Sequence, residues 1–446
     1  MNKKITLLSL IIMGILSLFI CNPCFAADRN NLNLEFFTRF NDNYLFRYVN
    51  EAVENNHNAK QATIRVEEYR QGMKTQLAQE LPSLSVAANY LGLHVPEISP
   101  AFSNIRKNNF VLPFIVNYEA DFFLKNRDKT KSAKKSYEMS KFDEQSAYLA
   151  LLTDVATIYT NILEYDKLIE EQEKIVANYT QILNDDNKKL SRGVINTTEL
   201  NKSKTNAEHA NITLENLIKQ REVLLMQFAV LIGRSSDGSD NIARGSIDDF
   251  EYSAVIPSEI ESDVIFSRPD VKRAEMALEK AKIDIRVARK EFLPRFNITG
   301  IWAFNTIAPG SFFSWESSLA SLLAGATQDI FTGGRKIANL KYKKAKYEEL
   351  FEQYRQTDLD AVKEVNTSLC IIKHDTEIEN KTKEKLILET KNLNNANKML
   401  NRGVISKTQY INSENLYINK DIDLTKAKTR RLVNYYTLYK TVGGKL

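Results

Sequence analysis

Long stretches of this chain carry apolar residues at helical spacing and contain neither glycine nor proline. Two of them, residues 126–192 and 335–402, would each form a helix about 100 Å long at a rise of about 1.5 Å per residue. Such narrow apolar seams predict long helices that lie side by side with at least one face in water. The seam of the first stretch has the 4-3-4 spacing of coiled coils, at Leu152, Ala156, Tyr159 and Leu163.

A single glycine separates each of these stretches from a second helical one. Residues 194–232 and 404–442 are again free of glycine and proline. One glycine between two helical runs is typical of a tight helical hairpin. The pattern therefore predicts two hairpins with their tips at 192–195 and 402–405.

Four shorter segments alternate between apolar and polar residues with period two, which indicates strands. Their aromatic residues lie near the ends, as in strands that cross a membrane with one face towards lipid and the other towards a polar lumen. Pro113 fits poorly inside a strand because it cannot donate a ladder hydrogen bond, so it predicts a bulge or the entry of the strand. The segments span about 84–93, 110–121, 296–305 and 313–327.

The number of strands bears on how many chains assemble. Four strands cannot close a barrel, and lipid does not tolerate an open sheet edge. Either the strands form a soluble sheet, or several chains share one barrel. Two chains would give about eight strands, which side chains fill, whereas three would give about twelve. A pore therefore favours three or more chains.

Landmarks of the first half of the chain recur in the second half in the same order. Leu190-Ser-Arg-Gly-Val-Ile195 returns as Leu400-Asn-Arg-Gly-Val-Ile405, an offset of 210 residues. We interpret this as a tandem duplication, with a first structural repeat over 27–245 and a second over 246–446. The stretch Ser235–Pro257, rich in Ser, Asp and Gly, is the candidate linker between them.

The first residues have the pattern of a secretory signal. Lys3 and Lys4 precede an apolar run that ends at Ile20, short of the roughly 20 residues that span a bilayer. Small residues flank a cut after Ala26. We therefore assign residues 1–26 to a cleaved signal peptide.

Composition narrows the functional classes. Glycine and proline, at 15 and 9 of 446 residues, are too scarce for an ordinary loop-rich α/β enzyme. The net charge of +5 is mild and no Lys/Arg-rich tail is present, so nucleic acid is not an expected partner. The 4 histidines lack metal-ligand spacing, and Cys370 is expected to be a small buried hydrophobe. We expect no enzyme activity, no cofactor and no metal site.

With this signal peptide, this paired repeat and these strand pairs flanked by long helical hairpins, the sequence resembles the TolC-type outer-membrane efflux proteins, the outer membrane factors of tripartite efflux systems. Asp329-Ile-Phe-Thr-Gly-Gly-Arg335 is similar to the family's entry from the last strand into the long helix. Arg268-Pro-Asp-Val-Lys-Arg-Ala-Glu275 is similar to the helix that leads into the second strand pair. The two Arg-Gly-Val-Ile turns resemble the periplasmic hairpin tips, and Leu438-Tyr-Lys-Thr-Val-Gly-Gly444 resembles the usual C-terminus.

This resemblance implies a mainly α fold with a small β part. Long coiled-coil hairpins would form an α-barrel in the periplasm, and four strands per chain would join a shared, trimeric transmembrane β-barrel in outer-membrane lipid. The implied location is the outer membrane of a diderm bacterium. The implied partners of the homotrimer are a periplasmic adaptor protein and an inner-membrane pump. The implied function is an exit duct for small molecules such as drugs, metals or metabolites, without chemistry of its own.

The resemblance also carries over site residues at the hairpin tips. A glycine turn lets another helical hairpin approach the backbone closely, and Val and Ile offer a small apolar knob. The alternative is that these residues merely close the turn. The expected adaptor contacts are Arg192, Gly193, Val194, Ile195, Arg402, Gly403, Val404 and Ile405.

A periplasmic gate is a further implication of the resemblance. In some members of the family, acidic residues just past the second tip ring the entrance, but the matching positions here are the neutral Gln409 and Asn412. Glu199 of the first repeat is the candidate for an acidic ring. The alternative is a solvated carboxylate on a helix surface.

Two alternatives for the function stay open. In one, the same duct serves a type I protein secretion system, which sequence separates poorly from small-molecule efflux. In the other, from a different class, the chain is a periplasmic coiled-coil scaffold without a pore. A scaffold explains the helices and the repeat, but not the four aromatic-rich alternating segments.

Overall fold

Two long helical hairpins and a small antiparallel sheet make up the structure, a computed structural model that describes residues 33–95, 105–306 and 315–446. No helix in these ranges is long and apolar enough to cross a membrane. The helices are α1 Glu35–Thr38, α2 Asn43–Asn55, α3 His57–Ala78, α4 Lys125–Ser191, α5 Thr197–Leu231, α6 Ser262–Phe266, α7 Pro269–Lys290, α8 Arg335–Asn401 and α9 Lys407–Thr441. The strands are β1 Ser83–Val86, β2 Asn89–Val95, β3 Ile105–Ala120, β4 Arg295–Thr306 and β5 Ser318–Thr327.

Each hairpin pairs a helix of 67 residues with one of 35 residues. At about 1.5 Å per residue, α4 and α8 each extend about 100 Å. The two repeats therefore share one helical plan, down to the lengths of the helices. The assigned signal peptide, residues 1–26, lies outside the described residues.

The helices pack side by side in one layer, and the order of neighbours differs between the part near the sheet and the part near the tips. Nearer the sheet the order of packing is α3, α4, α7, α8, and nearer the tips it is α5, α4, α9, α8. Because α4 and α8 run through both parts, α8 forms one border of the layer, and α3 and α5 together form the other. The chain is thus a layer of helices with two different borders.

The strands pair antiparallel in the order β1, β3, β4, β5, and β2 also pairs with β3. β1 and β2 keep one register along β3, since Val86 lies opposite Phe114 and Asn89 lies opposite Val111. They are therefore two parts of a single strand position. The described residues supply four strand positions to the sheet.

Pro113 lies in the middle of β3, so the expectation of a bulge or a strand entry there is wrong. The register continues past it on both sides, and Pro113 lies opposite Ala303 of β4. The Ala87 N–H donates to the Pro113 carbonyl at 3.1 Å, but proline has no N–H to donate in return. This missing bond divides the predicted strand 84–93 into β1 and β2.

The start of the predicted segment 313–327 also differs. Residues 313 and 314 lie outside the described ranges, and Trp315–Ser317 forms a 3₁₀ turn rather than a strand. The Ser318 hydroxyl donates to the Trp315 carbonyl at 2.8 Å and closes this turn. The strand therefore begins at Ser318.

Alternation along the strands sorts the side chains onto two faces. One face is apolar: the Trp302 ring centroid lies 6.4 Å from that of Phe114 and 5.2 Å from that of Phe304. The other face is polar, and the Thr299 hydroxyl donates to the Asn117 side-chain oxygen at 3.0 Å. Such a sheet presents one side suited to lipid and one suited to water.

An aromatic core lies midway along the helices. Phe36 of α1 stacks on Tyr439 of α9 with centroids 4.5 Å apart, and Phe40 stacks on Phe250 at 5.5 Å. The core joins residues near both ends of the chain with residues between the two repeats. The repeats are therefore packed into one body.

The stretch Ser235–Pro257, which composition marks as a linker, belongs to this core. Ile242, Ile247 and Phe250 are buried. The Ser253 N–H donates to the Arg39 carbonyl at 2.8 Å. Because the stretch is polar overall, its composition does not reveal these buried apolar residues.

Cys370 is exposed, which contradicts the expectation of a buried hydrophobe. It lies on α8, the helix that forms a border of the layer. A residue on such a helix has no neighbouring helix on one side in the single chain, so helical periodicity alone does not reveal its exposure.

Candidate functional site: the two hairpin tips

The two hairpin turns have the same backbone geometry. Gly193 and Gly403 have φ values of +69° and +72°, in the left-handed region that L side chains rarely adopt. The Gly193 N–H donates to the Leu190 carbonyl at 2.9 Å, and the Val194 N–H to the Lys189 carbonyl at 2.9 Å. These are the two bonds of a Schellman motif, which satisfies the last carbonyls of α4.

The second tip repeats these bonds. The Gly403 N–H donates to the Leu400 carbonyl and the Val404 N–H donates to the Met399 carbonyl, both at 2.9 Å. A Cβ atom on either turn glycine would meet nothing within 4 Å. The glycines are therefore required by their φ angles and not by crowding, and the space beside them is free for another molecule.

Both tips display the same side chains in the same way. Val194 is 68% exposed and Val404 is 64% exposed. Arg192 and Arg402 are exposed, whereas Ile195 and Ile405 are half-buried. Each tip thus offers one exposed apolar side chain beside one cation on an open glycine turn. The structure brings the eight sequence-predicted tip residues into two matching groups of four.

The helices that leave the tips are capped differently. The Asn196 side chain accepts the Glu199 N–H at 2.9 Å. At the second tip, the Ser406 hydroxyl accepts the Gln409 N–H at 3.2 Å and the Gln409 side chain accepts the Ser406 N–H at 2.8 Å. Gln409 therefore completes a capping box and holds the first turn of α9.

The other two gate candidates, Glu199 and Asn412, do not take part in a capping box. Glu199 and Asn412 are both exposed. Glu199 lies in the first turn of α5, where a carboxylate interacts favourably with the helix dipole. Glu199 and Gln409 hold corresponding positions three residues after their caps, so the duplication places an acid at one tip and an amide at the other.

Polar contacts tie the helices together just behind the tips. The Ser203 hydroxyl donates to Asp186 at 2.5 Å and the Lys189 ammonium donates to it at 2.8 Å. Burial alone would raise the pKa of Asp186, but these two hydrogen bonds hold it below its ordinary value. Lys407 lies 4.0 Å from Asp185, which links the start of α9 to α4.

A buried pair of asparagines lies further along the same helices. The Asn178 amide donates to the Asn415 side-chain oxygen at 2.8 Å, and Asn415 is 4% exposed. The sequence reasoning missed this pair. Its signal is a polar residue within an apolar seam, since Ile411, Asn415 and Ile418 follow coiled-coil spacing and are all buried.

Within the described ranges, no group of three or more His, Cys, Asp or Glu side chains could hold a metal ion. The arrangement at the tips offers surfaces for recognition: two exposed apolar knobs, two cations and open backbone. It offers neither a nucleophile with a base nor an enclosed pocket. The chemistry that it supports is protein–protein contact.

Comparison with known proteins shows which family and which relatives this chain matches. Residues 48–234 and 262–444 match the family described as "Outer membrane efflux protein". The cation efflux system protein CusC of Escherichia coli O157:H7 is 25% identical over 423 residues, which cover 94% of this chain and 90% of CusC. The outer membrane protein OprJ of Pseudomonas aeruginosa is 25% identical over 415 residues, which cover 90% of this chain and 84% of OprJ.

Solved structures show the same fold. The CmeC outer membrane channel of Campylobacter jejuni superposes with a TM-score of 0.84 at 19% identity, and covers 93% of this chain and 88% of its own. The open state of the MtrE outer membrane channel of Neisseria gonorrhoeae superposes with a TM-score of 0.80 at 21% identity, over 95% of this chain and 93% of its own.

Proposed function

Because this chain belongs to the outer membrane efflux protein family and is therefore an efflux channel of the outer membrane and not an enzyme, we propose that three copies join border to border into one duct. The duct receives small molecules from an inner-membrane pump through a periplasmic adaptor protein. The observation that carries this proposal is that the helix layer and the sheet both end in unlike borders.

Both borders of the helix layer carry exposed apolar side chains. On the α8 border, Leu359 is 67% exposed and Tyr342 is 62% exposed. On the other border, Ile212 of α5 is 60% exposed and Tyr69 of α3 is 49% exposed. Rows of exposed apolar side chains mark interaction surfaces. Because the two borders differ, they join head to tail, and contacts of that kind form a ring when the rotation between copies closes.

The sheet ends in unlike edges in the same way. In the described part of the chain, β1 and β2 form one edge and β5 forms the other. An edge strand presents unpaired N–H and C=O groups, which lipid cannot satisfy. Pairing β5 of one copy with β1 and β2 of the next removes every edge.

The count of strand positions favours three copies. Two copies would contribute about eight strands, a number that leaves an interior filled by side chains. Three copies would contribute about twelve strands, which enclose an open channel lined by the polar face of the sheet. The same rotation would close the helices into an α-barrel.

The hairpin tips are the proposed adaptor contacts. Support comes from the matching exposure of Val194 and Val404 and from the open space beside Gly193 and Gly403. A helical hairpin of the adaptor can bring its own apolar side chains against these valines. In a trimer the two tips of each copy would present six nearly equivalent docking points.

The entrance is the proposed gate, with Glu199 as its acidic group. Support comes from the exposure of Glu199 beside the first tip and from the capping role of Gln409, which fixes the neighbouring turn. Replacing Glu199 with Gln should lower the K⁺ to Cl⁻ permeability ratio of the channel. Gln409→Glu should raise it, because Glu also completes a capping box and adds a charge. Unchanged ratios in both variants would remove these residues from the gate.

Small molecules are the proposed cargo. CusC, one relative, is named for cation efflux. Cells that lack their own outer-membrane efflux channel should regain dye efflux when they express this chain with its pump and adaptor. A chain with Val194→Glu and Val404→Glu should not restore it. Export of a protein without any gain in dye efflux would favour a type I secretion duct instead.

A further inference from the structure

A basic cavity lies where the sheet meets the long helices. It has a volume of about 480 Å³ and is lined by the start of α4, the end of α7, the start of β4 and the start of α8. Of its ten lining residues, six are basic and two, Glu291 and Asp329, are acidic. The basic residues are Lys125, Lys129, Lys290, Arg295, Arg335 and Lys336.

Three of these cations form ion pairs, whereas the other three attract a carboxylate only at longer range: Arg295 and Arg335 attract Asp329, and Lys129 attracts Glu119. In the described part of the chain, Lys129, Arg295 and Arg335 form no ion pair. Glu291 accepts a hydrogen bond from Asn339 at 3.1 Å, and its negative charge and that of Asp329 leave the six cations in excess. The existing pairs are Lys125 with Glu119 at 2.9 Å, Lys290 with Asp128 at 2.7 Å, and Lys336 with Asp329 at 3.1 Å.

The register of the sheet tells which way the cavity faces. Arg295 alternates along β4 with Asn297 and Thr299, on the polar face. Glu119, the partner of Lys125, lies opposite Asn297 on that same face. The cavity therefore opens on the side of the sheet away from its aromatic, lipid-suited face. In a closed ring of copies, this side is the wall of the water-filled path.

The corresponding aspartates of the two repeats have different partners at the start of the long helices. In the first repeat, Asp121 accepts the N–H groups of Lys125 at 2.7 Å and Arg127 at 2.9 Å, and so caps α4. The corresponding Asp329 pairs with Lys336 instead, and α8 starts without a side-chain cap. The cavity thus gathers basic residues from both strand-to-helix connections, Lys125 and Lys129 from the first and Arg335 and Lys336 from the second.

We propose that this cavity binds small oxyanions, such as phosphate or carboxylate groups, as they pass through the channel, with Arg295, Arg335 and Lys129 as the binding residues. A guanidinium presents a fork of N–H donors that matches an oxyanion in two places. Positive charge along a narrow polar path also concentrates anions there. The proposal rests on the proposed function, since only the closed ring makes this face a lumen.

The first test is ion selectivity in planar bilayers of phosphatidylcholine across a KCl gradient. Replacing Arg295 and Arg335 together with Gln should lower the Cl⁻ to K⁺ permeability ratio about threefold or more. Arg127→Gln is the matched control, because Arg127 holds the position of Arg335 in the first repeat and does not line the cavity. It should leave the ratio unchanged. An equal ratio in the double variant and the unmodified protein would overturn the proposal.

The second test needs no channel. Inorganic phosphate should bind the purified protein in neutral detergent, as measured by calorimetry. The double variant should lose at least about tenfold in affinity, and Arg127→Gln should lose nothing. If phosphate binding depends on the arginines but no channel forms, the proposed ring is wrong and the proposed oxyanion site is supported. If the double variant does not fold, Lys129→Gln takes its place in both tests.

A lipid headgroup is the competing source of an oxyanion. If the unmodified protein binds no inorganic phosphate, and the arginine variants differ from it only in bilayers that contain anionic lipid, then the cavity takes a headgroup and the proposal of a lumenal site is wrong.

Discussion

Gly444 lies directly against Leu149: a Cβ atom on Gly444 would come 2.8 Å from the Leu149 Cδ2 atom, closer than real Cβ atoms approach a neighbour. Gly444 has a φ of +79°, and its N–H donates to the Tyr439 carbonyl at 2.8 Å. The turn after α9 is thereby pressed onto α4 of the first repeat. This contact explains the glycine at position 444, and it links the two repeats at the level of the aromatic core.

Gly444→Ala should lower the free energy of unfolding by about 2–3 kcal/mol, because it adds a collision with Leu149 to the strain of a positive φ. Gly333→Ala is the control. Gly333 has a φ of +59°, but a Cβ atom there meets nothing within 4 Å, so only about 1 kcal/mol should be lost. Urea unfolding followed by circular dichroism measures both. Equal losses would show that the contact with Leu149 contributes nothing.

Changing both tip valines to glutamate should weaken adaptor attachment at least about tenfold, since a carboxylate resists desolvation in an apolar contact. Val194 and Val404 are exposed in the chain, so thermal stability should not change. Cross-linking in the native cell envelope measures attachment. The control, Asn366→Glu, is exposed and lies roughly 55 Å along α8 from the second tip. Attachment that survives in the valine variant would assign these residues to closing the turn alone.

Leu359→Asp should prevent assembly of the ring, because a charge would replace an apolar side chain on the α8 border. Light scattering in detergent should then report a single chain instead of a trimer. Thr367→Asp, at another exposed position of α8, should remain assembled. A trimer in both variants would move the contact between copies away from this part of α8.

The stability of the chain should depend on pH through Glu164, a residue of α4 that faces α9. Burial raises the pKa of Glu164, more than the nearby Lys426 and Arg430 lower it. A carboxyl group with a raised folded-state pKa stabilises the fold below its unfolded pKa of about 4.3, and this contribution is lost as the pH rises. Glu164→Gln should therefore raise the unfolding temperature at pH 7.5 and leave it unchanged at pH 4.

Glu170→Gln provides a control of opposite sign. A hydrogen bond from Lys174 lowers the pKa of Glu170, so its contribution to stability is present above the unfolded pKa and is lost as the pH falls. This variant should be slightly less stable than the parent at pH 7.5, by a small amount because Glu170 is exposed. A stabilising Glu170→Gln, or a Glu164→Gln without effect at pH 7.5, would contradict this account of the charges.

Most of the fold could be predicted from local sequence patterns. The glycine-free stretches predict α4 and α8 because helix formation depends on nearby residues, and the Arg-Gly-Val-Ile turns are short enough to read from the chain. The division at Pro113 was harder to foresee, because it depends on which residue of a neighbouring strand lies opposite the proline.

Long-range packing could not be predicted from the chain. Phe36 and Tyr439 are about 400 residues apart in sequence, and no local pattern indicates that their rings stack. The basic cavity likewise gathers Lys129, Arg295 and Arg335 from three separate segments. At the tips, by contrast, the turns could be predicted because each one is a single continuous segment, and the adaptor contact of their residues stays a prediction.

Copies of this chain are proposed to close into a ring around a water-filled path. The most direct measurement is the conductance of the purified protein in a planar bilayer, with the mass of the same preparation determined in parallel. Discrete channel openings from a trimer are the expected result. A monomer or dimer that gives no openings would contradict the proposed ring, and would leave a helical scaffold without a pore.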